Sequence, residues 1–264
     1  MSTAPKKPDP NTGSQGEAPA SKAPDSNDNE NRRYEIVERG QLHTLNYRCY
    51  FRDTQTKTIV SPFHDIPLIN EQSSKENQTE IIYNMVVEVP RWTNAKMEIN
   101  KQFKLNPLVQ DVKNGKPRFV HNVFPYHGYL WNYGALPQTW EDPNHVDEDT
   151  QTTGDNDPVD VCEIGTTLHA TGSIIPVKIV GVLGLIDEGE TDWKLIGIDV
   201  RDKLASQVFS RYCLSKQNEH FLLFTHRFMT LKMFKFNYLV YSMQHDVGLN
   251  TTKFQRVNLR ISSL

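Results

Sequence analysis

Between Tyr34 and about Asp202 the chain consists of short β-forming runs separated by turn residues, and no stretch of about 10 to 15 residues with a helical period divides them. That pattern argues against a doubly wound parallel sheet, which needs a helix between successive strands. Ile81 to Val89 is rich in Ile, Val and Tyr and stops at Pro90. Ala95 to Asn100 alternates, with Ala95, Met97 and Ile99 on one face and Lys96 and Glu98 on the other. Ile174 to Ile186 is β-branched, with Gly181 and Gly184 where a strand bends or bulges, and Trp193 to Val200 reads as its return strand. A β-barrel without internal repeats is the expectation.

The flanks are written in a different style. Residues 1–33 hold Pro, Ser, Asn, Asp and Lys with almost no large apolar side chain, so they cannot bury enough surface to offset their ordering entropy. They read as a disordered N-terminal tail. Lys6, Lys7 and Lys22 are set against Asp9, Glu17, Asp25, Asp28 and Glu30, which argues against a mitochondrial transit peptide. From Val208 to Leu264 the balance is +6, against −9 for residues 1–207, and seven of the twelve Phe lie there. Phe221 to Met243 is long enough to span a membrane. However, Arg227, Lys232 and Lys235 lie inside it, at about 2.5 to 3.5 kcal/mol for a charge near the centre. Residues 208–264 therefore read as a poorly ordered basic and aromatic tail, with an amphipathic helix on Phe221, Phe224 and Phe228 as the competing reading. The net charge of −3 gives no field that recruits nucleic acid. Three cysteines without a CxxC pair, and no apolar leader near Met1, point to a reducing, cytoplasmic setting.

Chemistry concentrates in four places. Gly154-Asp155-Asn156-Asp157-Pro158-Val159-Asp160 carries three carboxylates. In an extended segment Asp155 and Asp157 share a direction, and Pro158 turns the chain so that Asp160 can join them around a hard divalent cation. The plain alternative is an Asx-type turn. An EF-hand fails because its Gly and Glu positions hold Asp160 and Thr166. Second, Glu188 to Thr191 reads as a hairpin loop with Asp187 and Asp192 facing each other at its mouth and Lys194 on the Asp192 face. Third, Glu88 and the Lys96–Glu98 pair offer a cation beside carboxylates, and Arg118 could bind an anion through its fork of donors. Fourth, Asn122 to Asp142 is an aromatic, Gly- and Pro-rich run. It reads as an irregular core wall that can also present the hydroxyls of Tyr129 and Tyr133.

In this order, EVPRWTNAKMEI (88–99), FPYHGYLWNYGALPQTWEDP (124–143), GDNDPVDVCEIG (154–165) and DEGETDWKLIGIDVRD (187–202) resemble the soluble family I inorganic pyrophosphatases of the eukaryotic type. The resemblance covers about residues 34–207. It implies a mainly β fold with flanking α-helices built on a five-stranded OB-like barrel. It also implies hydrolysis of pyrophosphate to two phosphates by a Mg²⁺-activated water, without a covalent intermediate. Carried over position by position, it makes Asp155, Asp160, Asp187 and Asp192 metal ligands, with Glu88 and Glu98 in the outer acidic shell. Asp157 becomes the carboxylate that orients or deprotonates the water. Lys96, Arg118, Tyr133 and Lys194 become phosphate ligands, and Tyr129 lines the site. The partners expected are pyrophosphate as substrate and a second copy of the chain in a homodimer; the charge pattern, not the resemblance, argues against nucleic acid and a transmembrane segment.

After Gln207 the resemblance stops. The family continues with a long helix and a Tyr-Lys pair that contacts phosphate, whereas the corresponding positions hold Lys232 and Met233. A competing reading follows: a catalytically impaired isoform, produced by splicing or a mis-joined gene model, that binds metal, phosphate or a partner.

Overall fold

Eight consecutive buried residues, Ile82–Val89, require packing on both faces of that strand. The computed structural model describes residues 33–74, 80–208 and 238–241. In chain order, β1 (Tyr34–Arg39), β2 (Arg48–Asp53) and β3 (Ile59–Val60) come first, and a 3-10 turn at Glu71–Ser74 leads into β4 (Ile82–Val89). Next are β5 (Met97–Ile99), β6 (Leu108–Gln110), β7 (Val112–Lys113) and β8 (Lys116–Pro117). Then come β9 (Asn132–Ala135), β10 (Asp160–Glu163), β11 (Ile174–Asp187), β12 (Glu190–Asp199) and β13 (Tyr238–Tyr241).

Strands β12, β10, β9, β4 and β11 pair in that order, and β11 pairs back onto β12 to close a five-stranded barrel. The β10–β12 pair is parallel and the other four pairs are antiparallel. The interior holds Tyr83, Met85 and Val87 from β4, Val161 from β10, Val177 and Val182 from β11, and Trp193 and Leu195 from β12. Outside the barrel, Val86 and Ala135 pack on Cys49, Phe51, Met97, Ile99 and Leu108 of the second sheet. That sheet has the order β1-β2-β6-β5, with β3 on β2. Thus β4 contributes to two cores at once, each buried Val or Met contributing about 1.5 to 3 kcal/mol relative to exposure.

The expected strands are present: a barrel strand through Val89, the buried–exposed–buried alternation of Met97, Glu98 and Ile99, and the β11–β12 hairpin. The β11–β12 register shifts between Ile179 and Gly181, where a bend was expected, whereas Gly184 pairs regularly with Trp193 and Leu239. The hairpin is tighter than its sequence suggested. Glu188 and Gly189 both have positive φ (51° and 93°), so they form a two-residue turn of the kind that matches strand twist. Asp187 consequently pairs with Glu190, and Asp192 sits opposite Leu185 rather than opposite Asp187.

Among the described residues there is no α-helix, so the flanking helices are not part of the described fold, and no helix is long and apolar enough to cross a membrane. Residues 1–32 lie outside the described residues, as do Phe221, Phe224, Phe228, Lys232 and Met233, with the readings placed on them. Arg33 is described and is tied to Asp53 (3.3 Å) and Glu71 (3.0 Å). From the far segment, Tyr238–Tyr241 pairs with Val182–Leu185 of β11, beyond the stretch that β4 occupies.

Candidate active site

The parallel register of β10 and β12 puts Asp160 opposite Lys194, and antiparallel β9 brings Tyr133 alongside. The Lys194 ammonium contacts the carboxylates of Asp160 and Asp192 and donates to the Tyr133 hydroxyl at 2.9 Å. Tyr133 in turn donates to Asp160. Burial alone would lower the Lys194 ammonium, but Asp160 and Asp192 outweigh it and hold it well above the usual lysine range. Burial and the Asp160 charge push the Tyr133 phenol up. Burial also raises the Tyr129 phenol, whose ring lies 5.1 Å from that of Tyr133.

Beside this knot, one carboxylate oxygen each from Glu141, Asp155 and Asp192 lie within 4.8 Å of one another. Glu141 Oε1 accepts from the Trp193 amide at 2.7 Å, while its Oε2 is buried and has no hydrogen-bond partner. Burial pushes the Glu141 carboxyl well above its ordinary range, with Asp155 and Asp192 adding repulsion. Asp155 is pushed up to about 7, first by burial, then by Asp192, Asp157 and Asp160, against a hydrogen bond from the Asp157 amide. Three carboxylates that repel each other, one of which keeps a buried oxygen without a donor, suit a hard divalent cation. A metal would therefore fit the donors present.

Gly154 makes this approach possible. A Cβ there would stand 2.4 Å from the Glu141 carbonyl carbon, so only glycine lets the two segments touch. Asn156 then turns with a φ of +69°, and the Asp157 amide donates to Asp155 Oδ1 at 2.9 Å. The segment is thus an Asx-type turn rather than extended chain. Asp155 faces Glu141 and Asp192, whereas the half-exposed Asp157 carboxylate pairs with Lys101.

The residue before β5 and the residue after β8 supply a cationic edge. Lys96 lies 3.1 Å from Glu98 and 3.4 Å from Asp111, and Arg118 lies 2.8 Å from the same Asp111 oxygen. Behind them Glu88, buried on β4, accepts from the Ile99 amide at 2.8 Å. Burial raises the Glu88 carboxyl, and Asp160 and Glu98 raise it further. Burial raises Glu98 too, against the pull of Lys96. Asp187 is exposed at the hairpin turn, and its charge reaches Asp192.

Three residues that the sequence reading did not single out belong to this arrangement. Glu141 was read as part of an aromatic wall, Asp111 stands in no motif, and Lys101 follows the Lys96–Glu98 pair without itself forming a pattern.

A family model described as inorganic pyrophosphatase matches residues 85–243, which runs past Gln207. Inorganic pyrophosphatase 1 of Caenorhabditis elegans is 56% identical over 175 residues, which are 66% of this chain and 39% of that protein. Inorganic pyrophosphatase of Yarrowia lipolytica is 59% identical over 169 residues, 64% of this chain and 56% of that protein. The chain therefore spans about half the length of the curated relatives it matches. Among solved structures, the inorganic pyrophosphatase of Schistosoma japonicum is similar with a TM-score of 0.71 and 42% identity, covering 85% of this chain and 77% of that one.

Proposed function

The chain belongs to the inorganic pyrophosphatase family, and from that membership we propose that it hydrolyses inorganic pyrophosphate to two phosphates in a Mg²⁺-dependent reaction without a covalent intermediate. One observation carries this reading: the buried Lys194 shares Asp192 with the Glu141–Asp155–Asp192 donor set. A polyanionic substrate needs fixed cations, a hard metal needs carboxylates, and here the two groups of side chains meet at one residue.

In this reading Asp155, Asp160, Asp187 and Asp192 hold the metal, with Glu141 beside them and Glu88 and Glu98 behind. When bound, Mg²⁺ would neutralise pyrophosphate and acidify a water. Lys96 and Arg118, already gathered on Asp111, present a pair of cations to one phosphoryl group. Lys194 and Tyr133 donate to the phosphate oxygens from the barrel side, and Tyr129 lines the site next to Tyr133. Asp157 orients or deprotonates the attacking water. The water oxygen joins one phosphorus, the bridging P–O bond breaks, and the bridging oxygen leaves with the other phosphate. Cytoplasmic location and a homodimer belong to the same reading, and light scattering tests the latter.

The experiment is phosphate release from pyrophosphate by residues 1–264, with Mg²⁺ and with chelator, folding being checked by circular dichroism. Release that depends on Mg²⁺ is expected. Asp157→Asn should abolish it while leaving Mg²⁺ binding intact, and unchanged turnover in that variant would refute the role given to Asp157. A folded but silent chain would favour a metal- or phosphate-binding protein instead.

A further inference from the structure

Asp157 differs from its neighbours in how it is held. The backbone around it is fixed by the barrel side: Glu141 N donates to the Asp157 carbonyl at 2.9 Å, Asn156 N donates to the Glu141 carbonyl at 2.9 Å, and Trp140 Nε1 donates to Asn156 Oδ1 at 2.8 Å. None of these bonds reaches the Asp157 carboxylate, whose side chain is 50% exposed. Among the described residues the group that does reach it is Lys101. Its ammonium pairs with Asp157 Oδ1 and donates to the Asn156 carbonyl at 2.8 Å.

We propose that Lys101 is a positioning residue for Asp157, a strut from the turn that follows β5, which fixes the carboxylate where it meets the attacking water. The inference rests on the hydrolytic reading of Asp157. Two features make Lys101 suited to this. Its ammonium is tied at two points of the same loop, so it senses the loop position as well as the charge. The segment that carries it is itself anchored. Asn100 Oδ1 accepts from the amides of Gln102 (3.0 Å) and Phe103 (2.8 Å), and Asn106 Nδ2 donates to the Asn100 carbonyl at 3.0 Å. Without Lys101 the half-exposed carboxylate would be free to change rotamer, and an error of about 1 Å in a reacting group can lower a rate about 10²-fold.

The test is steady-state phosphate release by the full chain carrying Lys101→Met, with Lys101→Gln as the substitute if the Met variant does not fold. The expected result is a kcat about 10- to 100-fold lower with KM within about two-fold of wild type, because a group that acts on the nucleophile does not bind substrate. Lys101→Arg should recover most of the loss, since a cation of similar reach can remake the pair. A kcat within about two-fold of wild type overturns the proposal, and so does a raised KM at constant kcat, which would make Lys101 a substrate ligand. Crystal structures of wild type and Lys101→Met give a readout that needs no turnover. The Asp157 carboxylate should move in the variant, and an unmoved carboxylate overturns the proposal. A wild-type chain that releases no phosphate would overturn the hydrolytic reading, while the crystal comparison would still decide whether Lys101 holds Asp157.

Discussion

Lys194 faces Asp160 across the parallel β10–β12 ladder, and its ammonium is the counter-ion of both Asp160 and Asp192. Lys194→Met removes that charge and leaves two carboxylates repelling each other at low exposure. In metal-free buffer the variant should lose about 3 kcal/mol of stability, the scale for breaking a buried ion pair. Adding Mg²⁺ should restore part of it, because a cation again sits between the carboxylates. Urea unfolding with chelator and with Mg²⁺ measures both effects, and an Mg²⁺ response equal to wild type would contradict the shared-counter-ion picture.

Glu141 keeps a buried acceptor without a donor, Oε2, and one oxygen of its carboxylate lies within 4.8 Å of one from Asp155 and one from Asp192. Glu141→Gln keeps the bond to the Trp193 amide and the shape of the side chain but removes the charge. Mg²⁺ affinity by calorimetry should fall about 10-fold or more, with little change in the circular dichroism spectrum. Equal affinity would place the metal away from Glu141.

What the sequence made legible was local. Strands showed through β-branched runs that end at Pro90 or turn at Gly189, and the acid-rich loop showed because Gly, Asp, Asn and Pro crowd into 154–160. Contacts made across large sequence separations left no such mark. Lys101 meets the Asn156 carbonyl 55 residues away, and Glu141 meets the Trp193 amide 52 residues away. Asp111 gathers Lys96 and Arg118 only because β6 and the β8 turn bring them to one edge. The full burial of β4 was equally hidden, since alternation disappears when both faces of a strand are covered. The Asp157 direction was missed because an Asx turn, not extended chain, sets it.

At the far end of β12, Asp199 is almost fully buried. It lies 3.3 Å from His169 Nε2 and takes two side-chain hydrogen bonds from Arg201, at 3.0 and 2.7 Å. Burial alone would raise its carboxyl, but His169 and Arg201 prevail and hold it down to about 2. A carboxyl depressed in the folded state contributes stability that is fully present above its unfolded value of about 3.9 and lost as pH falls through about 2. Asp199→Asn should therefore be about 2 kcal/mol less stable than wild type at neutral pH, with the gap closing between about pH 4 and pH 2. Urea midpoints across that range check it. A gap independent of pH would mean that packing, not charge, holds Asp199.

Gly154 and Gly181 predict opposite outcomes for the same substitution. At Gly154 the added methyl would stand 2.4 Å from the Glu141 carbonyl carbon and 2.8 Å from the Asp142 nitrogen, all backbone atoms that cannot rotate away. The Gly154 amide also donates to the Asp142 carbonyl at 3.1 Å, so relieving the clash breaks that bond. Gly154→Ala should cost about 1 to 3 kcal/mol in urea unfolding and separate Asp155 from Glu141, lowering Mg²⁺ affinity with it. At Gly181 the nearest atoms to an added methyl are in the Ile196 side chain at 3.8 Å, an ordinary contact. Gly181→Ala should stay within about 0.5 kcal/mol of wild type and bind Mg²⁺ unchanged. If both variants lose affinity alike, the metal site depends on general barrel stability rather than on the close approach of Gly154 to Glu141.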